Sequence, residues 1–138
     1  MSIIQGQTTS FKLELYEGIH DLLTDTIKIA LYTANANLNQ STTVYSATNE
    51  VSGTGYSGGG KVMTGVTVSS SGTTAYVDFD DVIWDPASFT ARCALIYNHS
   101  KSDKSIAVLD FGSDKTTTTK FTITMPTNSA TNALIRMD

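Results

Sequence analysis

A glycine-rich stretch, VSGTGYSGGGKV at residues 51–62, matches two phosphate-binding motifs at once. Residues 53–58 fit G-x-G-x-x-G, and residues 55–61 fit G-x-x-x-x-G-K without the final Ser or Thr. Such loops hold phosphate when they follow a buried strand and open directly into a helix. Here polar SATNEV precedes the stretch and strand-like VMTGVTV follows it. We therefore predict that the glycines serve a tight turn before a strand and that no nucleotide is bound.

Clustered carboxylates are the second group of residues with possible chemistry. The DFDD sequence at 78–81, together with Asp85, could suggest a calcium site, since calcium prefers several carboxylate oxygens. On a strand, however, Asp78 and Asp80 share one face while Asp81 points to the other. The loop glycine and bidentate glutamate of a helix-loop-helix calcium site are also missing. We predict a solvated strand face and no metal site.

The two histidines, His20 and His99, could each act as a general base, but no Ser or Cys nucleophile stands in a recognisable setting around them. The triplet at 110–112 repeats the magnesium-binding DFG of kinases in a chain too short for a kinase. Paired carboxylates for glycoside hydrolysis remain open, because such pairs form in space rather than along the sequence. The sequence thus predicts no catalytic or cofactor-binding residue.

Composition narrows the class of protein. The chain has 138 residues, a net charge of −4 and only 16% charged residues, and it contains 22 Thr and 15 Ser. Thr favours strands and Ser favours turns, which indicates an all-β protein. The acidic balance disfavours nucleic acid and anionic membrane as partners. A single Cys93 excludes an intrachain disulfide, and its apolar neighbours predict a buried, inert thiol.

Hydrophobic periodicity positions these residues on elements. Residues 8–23 carry Phe11, Leu15, Ile19 and Leu22 at helical spacing, with Thr8, Thr9 or Ser10 as the cap, although a strand remains an alternative there. Period-two alternation then predicts strands, at 26–33, 61–70, 75–84, 89–100, 106–112, 120–126 and 132–138. The turns at 70–74 and 113–119 separate neighbouring strands. This pattern predicts a mainly all-β fold, an antiparallel β-sandwich that is jelly-roll-like, with one short N-terminal helix.

We expect one domain over residues 1–138, with an N-terminal arm at 1–10 and a long loop at 34–60. A connection of this length is unusual in a compact domain and is often functional, so we expect it to become ordered on a partner. The N-terminus lacks a basic start with a long apolar segment, and no window could span a membrane. We therefore expect no secretion signal and folding in a cytosol.

The chain resembles small virion structural proteins of tailed bacteriophages, including capsid decoration, or cement, proteins. The resemblance rests on FKLELYEGIHDL, on the segment from DTIKIALYTANANLNQ through NEVSGTGYSGGGKVMTGVTV, on YVDFDDVIWDPASFTARCALIYNHS and on AVLDFGSDK, which together cover most of residues 11–115. It implies a non-enzymatic role with no catalytic residues. It also implies synthesis in the host cytoplasm and a place on the capsid surface of the virion.

This resemblance predicts the major capsid protein as partner and a homo-oligomer, a dimer or trimer, as the binding unit. Exposed apolar and aromatic residues on mobile segments are common anchors, which points to Ile3 and Ile4 in the arm and to Tyr45, Asn49 and Tyr56 in the loop. Two alternatives remain. One is a tail, neck or fibre-attachment subunit, and the other is a carbohydrate-binding adsorption module in which Trp84, Tyr56 and Tyr97 stack on sugars.

Overall fold

The computed structural model describes residues 3–126, 129 and 133–137. This part of the chain contains one α-helix, a 3-10 turn at His99–Lys101 and ten strands. The helix α1 spans Thr9–Tyr16; the strands are β1 Gly6–Gln7, β2 Ile27–Tyr32, β3 Lys61–Val62, β4 Thr67–Ser71, β5 Thr74–Asp78, β6 Val82–Trp84, β7 Phe89–Asn98, β8 Lys104–Thr117, β9 Phe121–Ile123 and β10 Ile135–Met137. The predicted all-β class with a short N-terminal helix is confirmed.

The strands form three antiparallel sheets. The largest has the order β1-β8-β7-β2-β3, the second β10-β5-β4, and the third β6-β9. A cluster of buried apolar side chains joins all three sheets to α1, and we call it the main core. It includes Phe11, Ile29, Ile96, Ile106, Val77, Trp84 and Phe121. The sheets therefore pack face to face in a sandwich-like arrangement.

A second cluster, the minor core, lies on the opposite face of the five-stranded sheet. In β2 the alternation is regular, because Ile27, Ile29 and Leu31 enter the main core while Ala30 and Tyr32 enter the minor core. The minor core consists of Ala30, Tyr32, Ala36, Leu38, Cys93, Leu95, Tyr97 and Val108. The central strands β2 and β7 are therefore largely buried on both faces.

The helix is shorter than the predicted span of 8–23. Thr8 caps it as expected, its Oγ1 accepting a hydrogen bond from the Phe11 amide at 3.3 Å. The helix ends at Tyr16 because Gly18 adopts a left-handed φ of 72° and donates its amide to the Leu15 carbonyl. Leu22 is still buried, but it reaches the main core from a turn.

Two predicted strands are each divided, because the chain crosses from one sheet to another within them. The predicted strand at 61–70 becomes β3 in the five-stranded sheet and β4 in the three-stranded sheet, with left-handed Gly65 between them. The predicted strand at 75–84 becomes β5 and β6, which also belong to different sheets. The hairpin of β4 and β5 forms as predicted, with Ser71 opposite Thr74.

The predicted turn at 113–119 is largely strand, since β8 continues to Thr117 and pairs again with the start of β7. Between the two paired stretches, Ala91 opposes Lys115 but Cys93 opposes Asp110, so β8 contains extra residues at this point. The last strand, predicted at 132–138, forms at Ile135–Met137, and both ends of the predicted span lie outside the described residues. Among the described residues, no helix has the length and hydropathy to cross a membrane.

Candidate functional site: the wrapping loop and the N-terminal arm

The five predicted partner-binding residues lie on two segments that pack against the sheet. We call residues 34–60 the wrapping loop, because it contributes to both cores. We restrict the name arm to residues 3–5, since residues 6–10 of the predicted arm belong to β1, the helix cap and α1. Ile3 and Tyr45 pack against the minor core, and Tyr56 packs against the main core. Ile4 and Asn49 are exposed. The structure thus leaves two of the five side chains largely open to a partner.

The arm is attached to the rest of the protein by main-chain and side-chain hydrogen bonds. Ile3 forms a parallel bridge with Leu38, and the Ile4 amide donates to the Leu38 carbonyl at 3.0 Å. Gln5 Oε1 accepts the Asp110 amide at 2.9 Å. These contacts fix the direction of the arm across the wrapping loop and β8. As a result, Ile4 is presented from a defined backbone position.

The Glu50 carboxylate connects distant parts of the wrapping loop to each other. Oε1 accepts the Tyr45 hydroxyl at 2.5 Å, while Oε2 accepts the Tyr56 hydroxyl and, at 2.8 Å, the Gly59 amide. The Tyr56 oxygen in turn accepts the Leu31 amide of β2 at 2.9 Å. One side chain therefore joins both halves of the loop to each other and, through Tyr56, to β2 of the five-stranded sheet.

The tyrosine hydroxyls of this network are held in their protonated, donating form. Burial, with the neighbouring Glu50 carboxylate, raises the pKa of Tyr45 to about 12 and raises that of Tyr56 well above its usual value. Burial also raises the pKa of Tyr97, whose hydroxyl donates to the Gly59 carbonyl at 2.5 Å. With donors and acceptors paired to each other, this cluster has a structural role.

The glycines of the opening motif allow the loop to approach other backbone segments closely. A Cβ at Gly55 would lie 2.0 Å from the Pro86 carbonyl oxygen, and a Cβ at Gly60 would lie 1.8 Å from that of Ile29. Both residues also have positive φ, 87° and 81°. The stretch leads into β3 and not into a helix. It therefore lacks the helix N-terminus that a phosphate loop requires, and the predicted turn before a strand is confirmed.

The wrapping loop pairs with the sheet of its own chain. The Val51 amide donates to the Leu31 carbonyl, and the Thr33 amide donates to the Asn49 carbonyl, each at 2.9 Å. Ala36 and Leu38 are buried in the minor core. The loop is an integral layer of the fold because its own apolar and polar groups find partners on the sheet.

Two of the three aromatic residues in the sugar-stacking hypothesis are buried. Trp84 and Tyr97 are each 1% exposed, so neither presents a face to a ligand. Tyr97 stacks on Tyr45 with ring centroids 4.7 Å apart, and Trp84 packs edge-on against Phe121. Tyr56 lies near Trp84 and its hydroxyl is bound to Glu50. These aromatic rings belong to the two cores and not to a sugar-binding surface.

His20 belongs to a buried polar cluster after the helix. Its side chain is fully buried, with Nε2 2.8 Å from Glu14 Oε1 and Nδ1 3.0 Å from Asn98 Nδ2. The same Asn98 nitrogen lies 2.8 Å from Asp25, which can only accept, so it donates to both groups. Nδ1 is then an acceptor and Nε2 carries the proton that Glu14 accepts. Both ring nitrogens are occupied, which leaves His20 no free position as a general base.

Asp25 is, beside Glu14, the second carboxylate of this cluster. Burial alone would raise its pKa, but hydrogen bonds from Asn98 and Lys101 outweigh that effect and lower it to about 2. Lys101 Nζ lies 2.8 Å from one carboxylate oxygen and 3.0 Å from the other. The cluster ties the segment after α1 to the end of β7 and to the 3-10 turn.

The carboxylates of the DFDD stretch take part in separate contacts. Asp81 Oδ1 accepts the Met125 amide at 2.7 Å, whereas Thr64 donates to Asp80. In the part of the chain that the structure describes, no group of three or more His, Cys, Asp or Glu residues is arranged to hold a metal ion. The buried thiol of Cys93 agrees with prediction, and burial raises its pKa to about 12.

The structural role of Glu50 was not predicted from the sequence. Its three partners lie at residues 45, 56 and 59, at no regular spacing. Only the scarcity of Glu, which occurs at 14, 17 and 50, could have drawn attention to it in a loop of hydroxyl residues.

Comparison of this chain with protein-family models, with curated proteins and with solved structures gave no match.

Proposed function

We propose that this protein is a non-enzymatic structural protein of a phage virion, a decoration protein that binds the major capsid protein and stabilises the head. The proposal begins from the sequence resemblance over residues 11–115. The structural observation that supports it is the wrapping loop, which is held as a fixed surface layer by Glu50 and by close glycine contacts. A surface fixed before binding loses less conformational entropy when it meets a partner.

The surface proposed to contact the shell consists of the exposed side chains that the arm and the wrapping loop carry. Ile4 and Val44 are exposed apolar residues on these segments, and Asn49 is exposed in a left-handed conformation with φ of 62°. The Tyr45 and Tyr56 side chains do not form this surface but hold the loop in place by donating hydrogen bonds to Glu50. Ile3 has the same supporting role, because it packs against the minor core.

Stabilisation of the shell would follow from mass action. A protein that binds the assembled shell and not its separated subunits stabilises the shell by RT ln(1 + [L]/Kd) for each site. Binding as a dimer or trimer at a symmetry axis would join neighbouring capsomers. Because the sites are numerous, a modest free energy at each one adds up over the particle.

The copy number of the protein in purified virions tests this proposal most directly. We expect hundreds of copies per particle, measured by quantitative mass spectrometry against the major capsid protein. A count of about six or twelve would instead assign the protein to the neck or tail and overturn decoration. Absence from the virion would overturn the structural role itself.

A matched pair of variants tests the proposed contact surface. Val44 is 49% exposed on the wrapping loop, and Val62 is 53% exposed on β3, outside this surface. We expect Val44→Asp to weaken binding to undecorated shells at least about tenfold, as loss of an interface anchor does, and Val62→Asp to leave it unchanged. Equal binding by the two variants in a co-sedimentation assay would exclude Val44 from the contact.

A further inference from the structure

A separate apolar surface lies where α1 meets β10 and β4. Tyr16, at the end of α1, is 87% exposed, and Val68 and Met137 are also exposed apolar side chains. Tyr16 and Met137 line one depression of about 430 Å³, and Met137 and Val68 line a second of about 100 Å³. Exposed apolar side chains grouped in this way are a feature of interaction sites.

The two depressions adjoin and form one groove. Gln7, Arg136 and Met137 line both of them, and Gln7 Nε2 donates to the Arg136 carbonyl at 3.0 Å. Leu15, which is half-buried, and Ile135, which is buried, line the smaller depression. The groove therefore has an apolar floor beside an exposed tyrosine ring, which suits a side chain inserted from a partner.

The charge of the groove differs from that of the molecule. Lys12 lines it, and none of the described residues that line it is an Asp or Glu, although the chain has a net charge of −4. Lys12 and Tyr16 are one helical turn apart, so they lie side by side on the same face of α1. Electrostatic complementarity favours a partner that brings negative charge next to an apolar group.

We propose that this groove binds a short acidic and apolar segment of a protein partner. A large apolar side chain would occupy the smaller depression against Val68 and Met137, with its neighbour in contact with the Tyr16 ring. An adjacent Asp or Glu would pair with Lys12. This site shares no residue with the proposed shell-binding set of Ile4, Val44 and Asn49, and it does not depend on capsid binding.

Selection from a random-peptide display library against the purified protein tests the site. We expect enrichment of peptides that combine Asp or Glu with a large apolar residue. In fluorescence anisotropy, Tyr16→Ser and Met137→Ser should each weaken binding of the selected peptide about tenfold. Lys12→Glu should weaken peptide binding more at low salt than at high salt, because ions screen the charge contact. Val62→Ser, which changes a half-exposed apolar residue outside the groove, should have no effect.

The other outcomes overturn the proposal. These are no enrichment, enrichment of basic peptides, or binding that survives Tyr16→Ser. A second copy of the chain as the occupant would appear in analytical ultracentrifugation as self-association that Tyr16→Ser abolishes. Circular dichroism of each variant checks that it is folded, and the exposed position of Tyr16 makes that variant the decisive one.

Discussion

Glu50 accepts hydrogen bonds from two tyrosines and one backbone amide, and these partners come from both halves of the wrapping loop. All three are donors, so the site requires a group that accepts with both of its oxygens. Carboxylate oxygens form stronger hydrogen bonds than neutral acceptors do. The order of a loop of 27 residues, from 34 to 60, therefore depends strongly on one side chain.

We expect Glu50→Gln to destabilise the protein by about 1–3 kcal/mol, the cost of leaving a part-buried donor without an acceptor. The amide nitrogen of Gln would face a hydroxyl or an N–H donor. Urea unfolding followed by tryptophan fluorescence measures the change. Glu17→Gln is the control, because Glu17 is exposed just after α1. Equal stability of the two variants would contradict the role of Glu50.

At the same scale, the sequence predicted some residues and could not predict others. The burial of Cys93 and the capping by Thr8 follow from local pattern, and both are confirmed. The partners of Glu50 are set by how the loop folds back on β2, which no spacing records. Tyr97 and Trp84 were assigned to a possible sugar site because aromatic residues serve both cores and ligands, and burial alone distinguishes the two uses.

At the scale of elements, Asp25 joins the segment after α1 to β7 and the 3-10 turn through Asn98 and Lys101. Its folded-state pKa of about 2 lies below the ordinary value of 3.8. A carboxyl whose pKa is lowered by folding stabilises the fold above the unfolded value and loses that contribution as pH falls through the folded value. The contribution is therefore complete above about pH 4 and disappears towards pH 2.

We expect the wild-type protein to lose more stability between pH 4 and pH 2 than Asp25→Asn does, because the variant has no carboxyl to protonate there. Thermal unfolding across this pH range measures the difference. Asp114→Asn is a suitable control, since Asp114 is exposed in β8. Parallel pH profiles for wild type and Asp25→Asn would show that the ionised Asp25 carboxylate contributes nothing to folding.

Strands were predicted correctly where successive side chains alternate between the two cores. The alternation in β2 correctly separated Ile29 from Ala30. Strand prediction failed where the chain changes sheets, because residues 61–70 keep period two while β3 and β4 pair with different partners. The helix was overextended because apolar spacing continued to Leu22, whereas the left-handed Gly18 had already ended the backbone pattern.

At the scale of the whole molecule, the five-stranded sheet has structure on both sides. Sheets and helix cover its main-core face, while the arm and wrapping loop cover its minor-core face. Cys93 is buried in the minor core, with a pKa that burial raises to about 12. Its thiol therefore reacts only when the covering layer opens, either locally or with global unfolding.

We expect a thiol reagent to label Cys93 faster in Glu50→Gln than in the wild type. The increase should exceed, by at least about tenfold, the increase that the loss of global stability alone would cause, because the wrapping loop can then open by itself. Labelling rates, compared with rates of global unfolding, measure this. Val62→Ser serves as the control. If labelling of Glu50→Gln follows global unfolding alone, the loop and the sheet open as one cooperative unit.

The extra residues of β8, between the stretches that pair with β7, have a practical consequence. Gly112, Ser113 and Asp114 are exposed, and Gly112 has a φ of 83°. They lie between the paired positions Asp110 and Lys115. Added residues at such a site need not shift the register of either flanking stretch. An epitope or affinity tag inserted after Ser113 would therefore be displayed on the surface without altering either core, which would make this strand an attachment point for labels or antigens.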